Sequence, residues 1–281
     1  MLTRVDSVAP GPKAQPVIKW AGGKRQMLSR YQDYFPGDFS AYHEPFLGGG
    51  AVFFHLAPAV AYLSDYNDEL VNMYRVLQTD VDRLIEDLSR HSNEEDYYYS
   101  LRSADVSRLS EVQRASRLIY LNKTCFNGLY RVNKKGEFNV PFGRYKRPKF
   151  LDADLLLAAN RALSGAKIFR ADYSVVLDNA RPGDFVYFDP PYFPLSRTAS
   201  FTDFTNLSFG AREQEKLADM FNELHQRGCL VMLSNSDTPF IRELYGRYGR
   251  GVIALTANRS INSKGDRRGP VGELLICSWL K

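Results

Sequence analysis

Asp184-Phe185-Val186-Tyr187-Phe188-Asp189-Pro190-Pro191-Tyr192 is an aromatic and β-branched run that stops on an acid and two prolines. Such a run reads as a buried strand ended abruptly. A second strand, CLVMLSN (Cys229–Asn235), follows it. Between the two, Leu217, Met220, Phe221 and Leu224 recur at helical spacing and Gly228 closes the segment, which predicts an amphipathic helix. Strand, helix, strand is the signature of an open α/β sheet. Working outward, AYHEPF (Ala41–Phe46) reads as a strand that runs into Gly48-Gly49-Gly50, and VAYLSD (Val60–Asp65) reads as the next. AKIFRADY (Ala166–Tyr173) is another, and GVIAL and ELLICSW near the end of the chain read as a hairpin around a basic loop, Arg259–Arg268.

The middle of the chain is different. Glu69–Tyr120 reads as helices without a strand, a basic loop follows, and Asp152–Ser164 reads as one more helix. The predicted architecture is therefore one α/β domain assembled from residues 1–68 and 166–281, interrupted by a mostly helical insert, 69–165. With 281 residues, 44% of them apolar and 25% charged, the chain has ample material for a core and is not a disordered polymer. No apolar run approaches the ~20 residues of a membrane-spanning helix, and Met1–Pro16 holds no signal-type stretch, so a cytoplasmic protein is expected. Cys125, Cys229 and Cys277 are scattered, and there are only 4 His, so neither a disulfide framework nor a metal centre is expected.

Net charge is +5, but its distribution says more. Eight basic residues against one acid, Glu137, lie between Lys123 and Lys149, interleaved with Asn127, Asn133, Asn139 and five aromatics. A solvated loop would need only the charges. Cations, amides and aromatic rings together suit phosphates, base edges and stacking, which favours a nucleic-acid surface.

Two motifs carry chemistry. Phe46-Leu47-Gly48-Gly49-Gly50 follows a strand, where glycines let backbone approach a ligand closely. The dinucleotide fingerprint fails because Phe53 occupies its third glycine position, and the phosphate loop fails because Arg25 follows Gly23-Lys24. A nucleoside-type ligand fits best, with Asp65 at the next strand end as an acceptor for ribose hydroxyls; a structural turn and a surface acid are the alternative. At Asp189-Pro190, proline holds the preceding residue extended, and neither Pro190 nor Pro191 has an N–H. The corner thus presents a carboxylate and a carbonyl that together can grip an amino group, and Tyr192 adds a face for a planar ring. A plain strand-ending turn is the alternative.

These motifs, in this order, resemble the S-adenosylmethionine-dependent DNA amino-methyltransferases, and most closely the Dam-type adenine methylases. The resemblance runs from about Val17 to Leu280. It rests on KWAGGK (Lys19–Lys24), EPFLGGG (Glu44–Gly50), LSDYND (Ser64–Asp68), NGLYR (Asn127–Arg131), GEFNVPFGRYK (Gly136–Lys146), DPPY, LSNSD (Leu233–Asp237) and RSINSKG (Arg259–Gly265). It implies a Rossmann-like S-adenosylmethionine methyltransferase sheet, with the helical insert as a DNA target-recognition domain.

It also implies roles. The cofactor would lie against Trp20, Lys24, Phe46, Gly48, Gly50, Asp65 and Asp189. Asp172 would contact its adenine, or alternatively cap a helix. Asp189, Pro190 and Tyr192 would form the catalytic corner. Phe126, where close relatives carry Tyr, would enter the duplex. Asn127 and Arg144 would hold phosphates. Lys19, Leu129, Arg131 and Pro141 would read bases, and their types are those of relatives that recognise GATC. The expected activity is methyl transfer to adenine N6 in double-stranded DNA, without a metal or an obligate protein partner. A cytosine-N4 enzyme or an inactive DNA-binding relative would carry nearly the same corner.

Overall fold

The computed structural model describes residues 12–195, 209–249, 251–258 and 270–280. Its elements in chain order are α1 (Leu28–Tyr31), β1 (Tyr42–Glu44), α2 (Ala51–Leu56), β2 (Ala61–Asp65), α3 (Asp68–Thr79), α4 (Val81–Ser89), α5 (Glu95–Arg102), α6 (Glu111–Thr124), α7 (Ala153–Leu163), β3 (Ala166–Arg170), α8 (Val176–Asn179), β4 (Phe185–Phe188), α9 (Ala211–Gln226), β5 (Leu230–Ser236), α10 (Pro239–Gly246), β6 (Gly251–Asn258) and β7 (Pro270–Cys277). The seven strands form one sheet in the order β3-β2-β1-β4-β5-β7-β6. The first five positions of that order are parallel. β7 enters antiparallel between β5 and β6, so the final two strands are the expected hairpin.

The alternation along β4 explains its central place. Phe185 and Tyr187 belong to one apolar cluster with Tyr42, Leu63 and Met232. Val186 and Phe188 belong to a second with Phe221, Leu224, Val231 and Leu233. Successive side chains of a strand point to opposite faces, so β4 is buried on both. Full burial of each such side chain contributes about 1.5–3 kcal/mol, which makes a register slip costly.

From β1 the chain steps outward to β2 and β3, and β4 then returns to the other side of β1. Open sheets bind ligands beyond the carboxyl ends of the strands at such a reversal. The glycine turn after β1 and the Asp189–Tyr192 corner after β4 both fall there. β1 and β3 each fall three residues short of the predicted span. β1 ends at Glu44 because Pro45 has no N–H for the ladder. β3 ends at Arg170, two residues before Asp172 turns the chain into a 3₁₀ segment.

Residues 69–165 are mostly helical as expected, carrying α3 to α7 with the basic loop between α6 and α7, and α6 opens with a reciprocal Ser110–Gln113 capping box. Leu70, Leu77, Tyr98, Tyr120 and Leu156 of this segment share one apolar cluster with Tyr42, Leu63 and Phe185 of the sheet. The amide of Gln78 donates to the carbonyls of Leu163 and Ala166, tying α3 to the end of α7 and the start of β3. The basic loop after α6 is pinned by two isolated antiparallel bridges, Cys125 with Phe142 and Val132 with Phe138. The second basic loop, Arg259–Arg268, lies outside the described residues. Among the described residues no helix is long and apolar enough to cross a membrane.

Candidate active site and nucleic-acid surface

The glycine turn is built from backbone conformation and one indole. Gly48 and Gly50 have φ of +47° and +66°, a region that disfavours side chains. A Cβ on Gly48 would lie 2.8 Å from Cδ1 of Trp20. Sequence reasoning assigned this glycine to ligand approach; the structure adds that Trp20 already packs against it. Asp65 fixes the turn, since its two carboxylate oxygens accept from Gly48 N (3.0 Å) and Asn67 N (2.9 Å). Burial pushes its carboxyl above the ordinary range, and those backbone N–H groups oppose the rise. Asp172 accepts from Ser174 N at 3.0 Å, so it is a helix cap, and it also lines the cleft. Beside it, Phe46 stacks on Tyr173 with centroids 5.2 Å apart, and Phe209 meets both rings edge-on.

Asp189 is not a free carboxylate. The Lys24 ammonium, buried at 5% exposure, sits 2.6 Å from Oδ1 and donates to Oδ2 at 2.8 Å. Ser234 donates to Oδ1 at 3.1 Å and is itself hydrogen-bonded to the Tyr187 hydroxyl. Burial raises the Asp189 carboxyl above its ordinary value, while Lys24 and Ser234 pull it down. The Lys24 ammonium also lies 4.7 Å from the centre of the Tyr192 ring, so a cation occupies a face that sequence reasoning reserved for a planar ligand. Among the described residues the buried Tyr192 hydroxyl has no hydrogen-bond partner. Glu273 accepts from the Tyr31 hydroxyl, and Glu44 accepts from the Tyr42 hydroxyl and Phe53 N. Burial raises both carboxyls, and in both Lys24 acts in the opposite direction.

The corner itself is held from behind. Gln214, fully buried, donates to Pro191 O at 2.9 Å and accepts from Asn235 Nδ2 at 2.9 Å. Asn235 accepts in turn from Phe193 N, and Ser236 donates to Phe193 O. Among the described residues none donates to the Pro190 carbonyl.

One cleft of about 2430 Å³ gathers Trp20, Lys24, Phe46, Gly48, Gly50, Asp65, Asp172, Asp189, Pro190 and Tyr192 together with Lys19, Asn127 and Arg131. A single small ligand fills about 300–1,000 Å³, so the cleft has room for more than one group. Phe126, Leu129, Pro141 and Arg144 do not line it. Phe126 is 47% exposed on its loop, with its N–H on the Pro141 carbonyl. Asn127 adopts φ +56° and donates its N–H to the Tyr145 hydroxyl. Arg131 is braced by Asn139, through Nε to Oδ1 at 2.6 Å and Nη2 to the carbonyl at 3.1 Å. Among the described residues the remaining guanidinium N–H groups meet no acceptor and can serve another. Arg144 pairs with Glu95 at 2.9 Å on the surface, an interaction worth only about 0–1 kcal/mol and easily exchanged for a phosphate.

Sequence reasoning missed Gln214, Asn235, Ser236, Glu273, Tyr31 and Asn122. The LSNSD block marked Ser234 to Ser236 without giving them a role, and Glu273 stood out only as an acid opening an apolar strand. Gln214 and Asn122 carried no signal.

The chain belongs to the D12 class N6 adenine-specific DNA methyltransferases, whose family model matches residues 20–261. It is therefore an adenine-specific DNA methyltransferase by family. It is 42% identical to a type II methyltransferase of Lactococcus lactis subsp. cremoris over 94% of this chain and 95% of that protein. It is equally 42% identical to a type II methyltransferase of Methanocaldococcus jannaschii, over 95% of this chain and 100% of the other. A DNA adenine methylase of Haemophilus influenzae is 34% identical over 96% of this chain and 95% of its own length.

Proposed function

We propose that the protein transfers a methyl group from S-adenosylmethionine to adenine N6 in double-stranded DNA, at GATC. The observation that carries the reading is the meeting of the Asp65–Gly48 turn and the Asp189–Pro190 corner in one cleft at the reversal of the sheet. The donor set suits the cofactor. Phe46, Tyr173 and Phe209 offer aromatic faces near Asp172, and Asp65 keeps unused lone pairs for hydroxyls. Three carboxyl groups, Glu44, Asp189 and Glu273, are gathered around one cation, Lys24, which opposes the rise that burial imposes on each of them. When bound, S-adenosylmethionine supplies an electrophilic methyl group on a sulfonium.

The protein's own residues supply positioning and electrostatics, usually the larger share of such a rate. Asp189 and the Pro190 carbonyl accept the two amino hydrogens of an extruded adenine, which draws the N6 lone pair out of the ring. Lys24 keeps Asp189 ionised against its burial, and Asp189 is placed to take the proton that N6 sheds. Extrusion costs a few kcal/mol, part of which Phe126 offsets by filling the gap. Residues 69–165 act as the recognition part, with Asn127 and Arg144 on phosphates and Lys19, Leu129, Arg131 and Pro141 at base edges. Residues 1–68 and 166–281 act as the catalytic part. The GATC assignment rests on those four base-reading types.

The test is methylation of a random-sequence duplex with methyl-labelled S-adenosylmethionine, digestion to nucleosides and mapping of the modified sites. N6-methyladenine in GATC is expected, and lost in Asp189→Ala while duplex binding persists. N4-methylcytosine, or N6-methyladenine in another context, overturns the corresponding part.

A further inference from the structure

We infer that Asn122 is a positioning residue that couples target recognition to the cofactor site, acting through Lys19 and Trp20. The inference rests on the placement of DNA and cofactor proposed above.

Asn122 lies in the last turn of α6 and is fully buried. Its Oδ1 accepts from Lys19 N at 2.8 Å, and its Nδ2 donates to Lys19 O at 2.8 Å and Gly128 O at 3.1 Å. One side chain thus grips the whole main chain of Lys19 and ties it to the loop that carries Phe126, Asn127 and Arg131. The contact is close on the other side as well. Gly128 has φ +64°, and a Cβ there would lie 2.4 Å from Cδ of Lys19. Lys19 and the recognition loop are therefore held against each other on two sides.

The next residue carries the connection onward. The Trp20 ring stacks on Tyr130 of the same loop, with centroids 4.8 Å apart and planes 28° apart. Its edge packs on Gly48, whose N–H holds Asp65. The route from Gly128 to Asp65 is thus an unbroken series of hydrogen bonds and packed rings. Coupling between sites travels through such contiguous contacts. A shift of the loop on its duplex displaces the Lys19 main chain, then the indole, then the turn that receives the cofactor. Asparagine is a poor helix former, and its burial is tolerated here because both amide donors and the carbonyl are satisfied across two segments.

The experiment measures coupling of binding rather than turnover. The affinity of a GATC duplex is measured by fluorescence anisotropy with and without saturating S-adenosylhomocysteine. The affinity of S-adenosylhomocysteine is measured by calorimetry with and without duplex. Linkage requires the two factors to agree, and couplings between sites run from about 5-fold to 150-fold. The wild type is expected in that range. Asn122→Ala should bring the factor to within about twofold of unity. Asn122→Asp keeps the acceptor for Lys19 N and loses both donors, so it should do the same. Circular dichroism melts establish that both variants fold. Tyr130→Leu, which removes the stack on Trp20 and leaves Asn122 in place, should also lower the factor and tests the route even if the Asn122 variants unfold. A folded Asn122 variant or a Tyr130→Leu protein with wild-type coupling overturns the inference. So does a wild type that binds both ligands independently. A wild type that binds neither ligand refutes instead the functional reading beneath it.

Discussion

Replacing Gln214 with alanine tests the wiring behind the Asp189–Tyr192 corner. The side chain is fully buried and makes two hydrogen bonds, to Pro191 O and from Asn235 Nδ2, each 2.9 Å long. Its removal leaves a carbonyl and an amide N–H without partners, each costing about 1–3 kcal/mol. The sum is about 2–6 kcal/mol, and at roughly 2–4 °C per kcal/mol for a chain of this size the Tm should fall by about 4–24 °C. Asn235 also receives Phe193 N, so the corner loses its anchor on both sides of Tyr192. A displacement of about 1 Å costs up to ~100-fold in rate. Single-turnover methylation at saturating duplex and donor should fall about 10–100-fold, with little change in KM. Gln214→Glu keeps the acceptor for Asn235 and should lie between. A Tm within about 1 °C of wild type and a rate within about twofold would refute the argument.

Three further outcomes follow from the geometry. Asp65→Asn turns one acceptor into a donor facing Gly48 N or Asn67 N, so S-adenosylhomocysteine affinity should drop by at least about tenfold in calorimetry; unchanged affinity moves the cofactor elsewhere. Arg131→Ala should raise methylation at single-pair variants of GATC, relative to GATC, by roughly ten- to a hundredfold, whereas Arg144→Ala weakens all duplexes alike and lowers the salt slope by about one charge; equal slowing by both denies Arg131 a base. Asp189 can take the proton from N6, and accept with a full charge, only when ionised; burial already lifts its carboxyl, so activity is lost as pH falls through that raised value. Lys24→Met removes the nearest opposing charge, and the acid limb of the kcat–pH profile should move to higher pH; an unmoved limb assigns it to another group.

The strands, the hairpin and the helical middle were legible because each is written in a contiguous stretch of side chains. DFVYFD has the apolar run of a strand buried on both faces, and Leu217 to Leu224 has a helical period. The strand ends were less legible, since Pro45 and Asp172 end ladders through backbone donors and caps rather than through hydropathy. The site divides in the same way. Gly48, Asp65 and Asp189 were visible because each stands in a local motif at a strand end. The Lys24–Asp189 pair spans 165 residues, and Asn122–Lys19 spans 103. Nothing in either local pattern announces a partner so far away, because pairing is settled by which elements the sheet order brings together. Gln214, a polar residue on the buried face of an amphipathic helix, was hidden for the same reason.

The single apolar cluster shared by residues 69–165 and the sheet has a consequence for how new target sequences arise. A recognition part with its own core could be lifted out and exchanged like a cassette. Here an exchange at either boundary would break up a cluster that Leu70, Leu77, Tyr120 and Leu156 share with the sheet, where α3 packs on β2 and β3. The wound would cost several buried side chains at about 1.5–3 kcal/mol each, comparable to the whole stability of a domain. A shared core of this kind favours changes made residue by residue on the exposed loop over the exchange of residues 69–165 as a block.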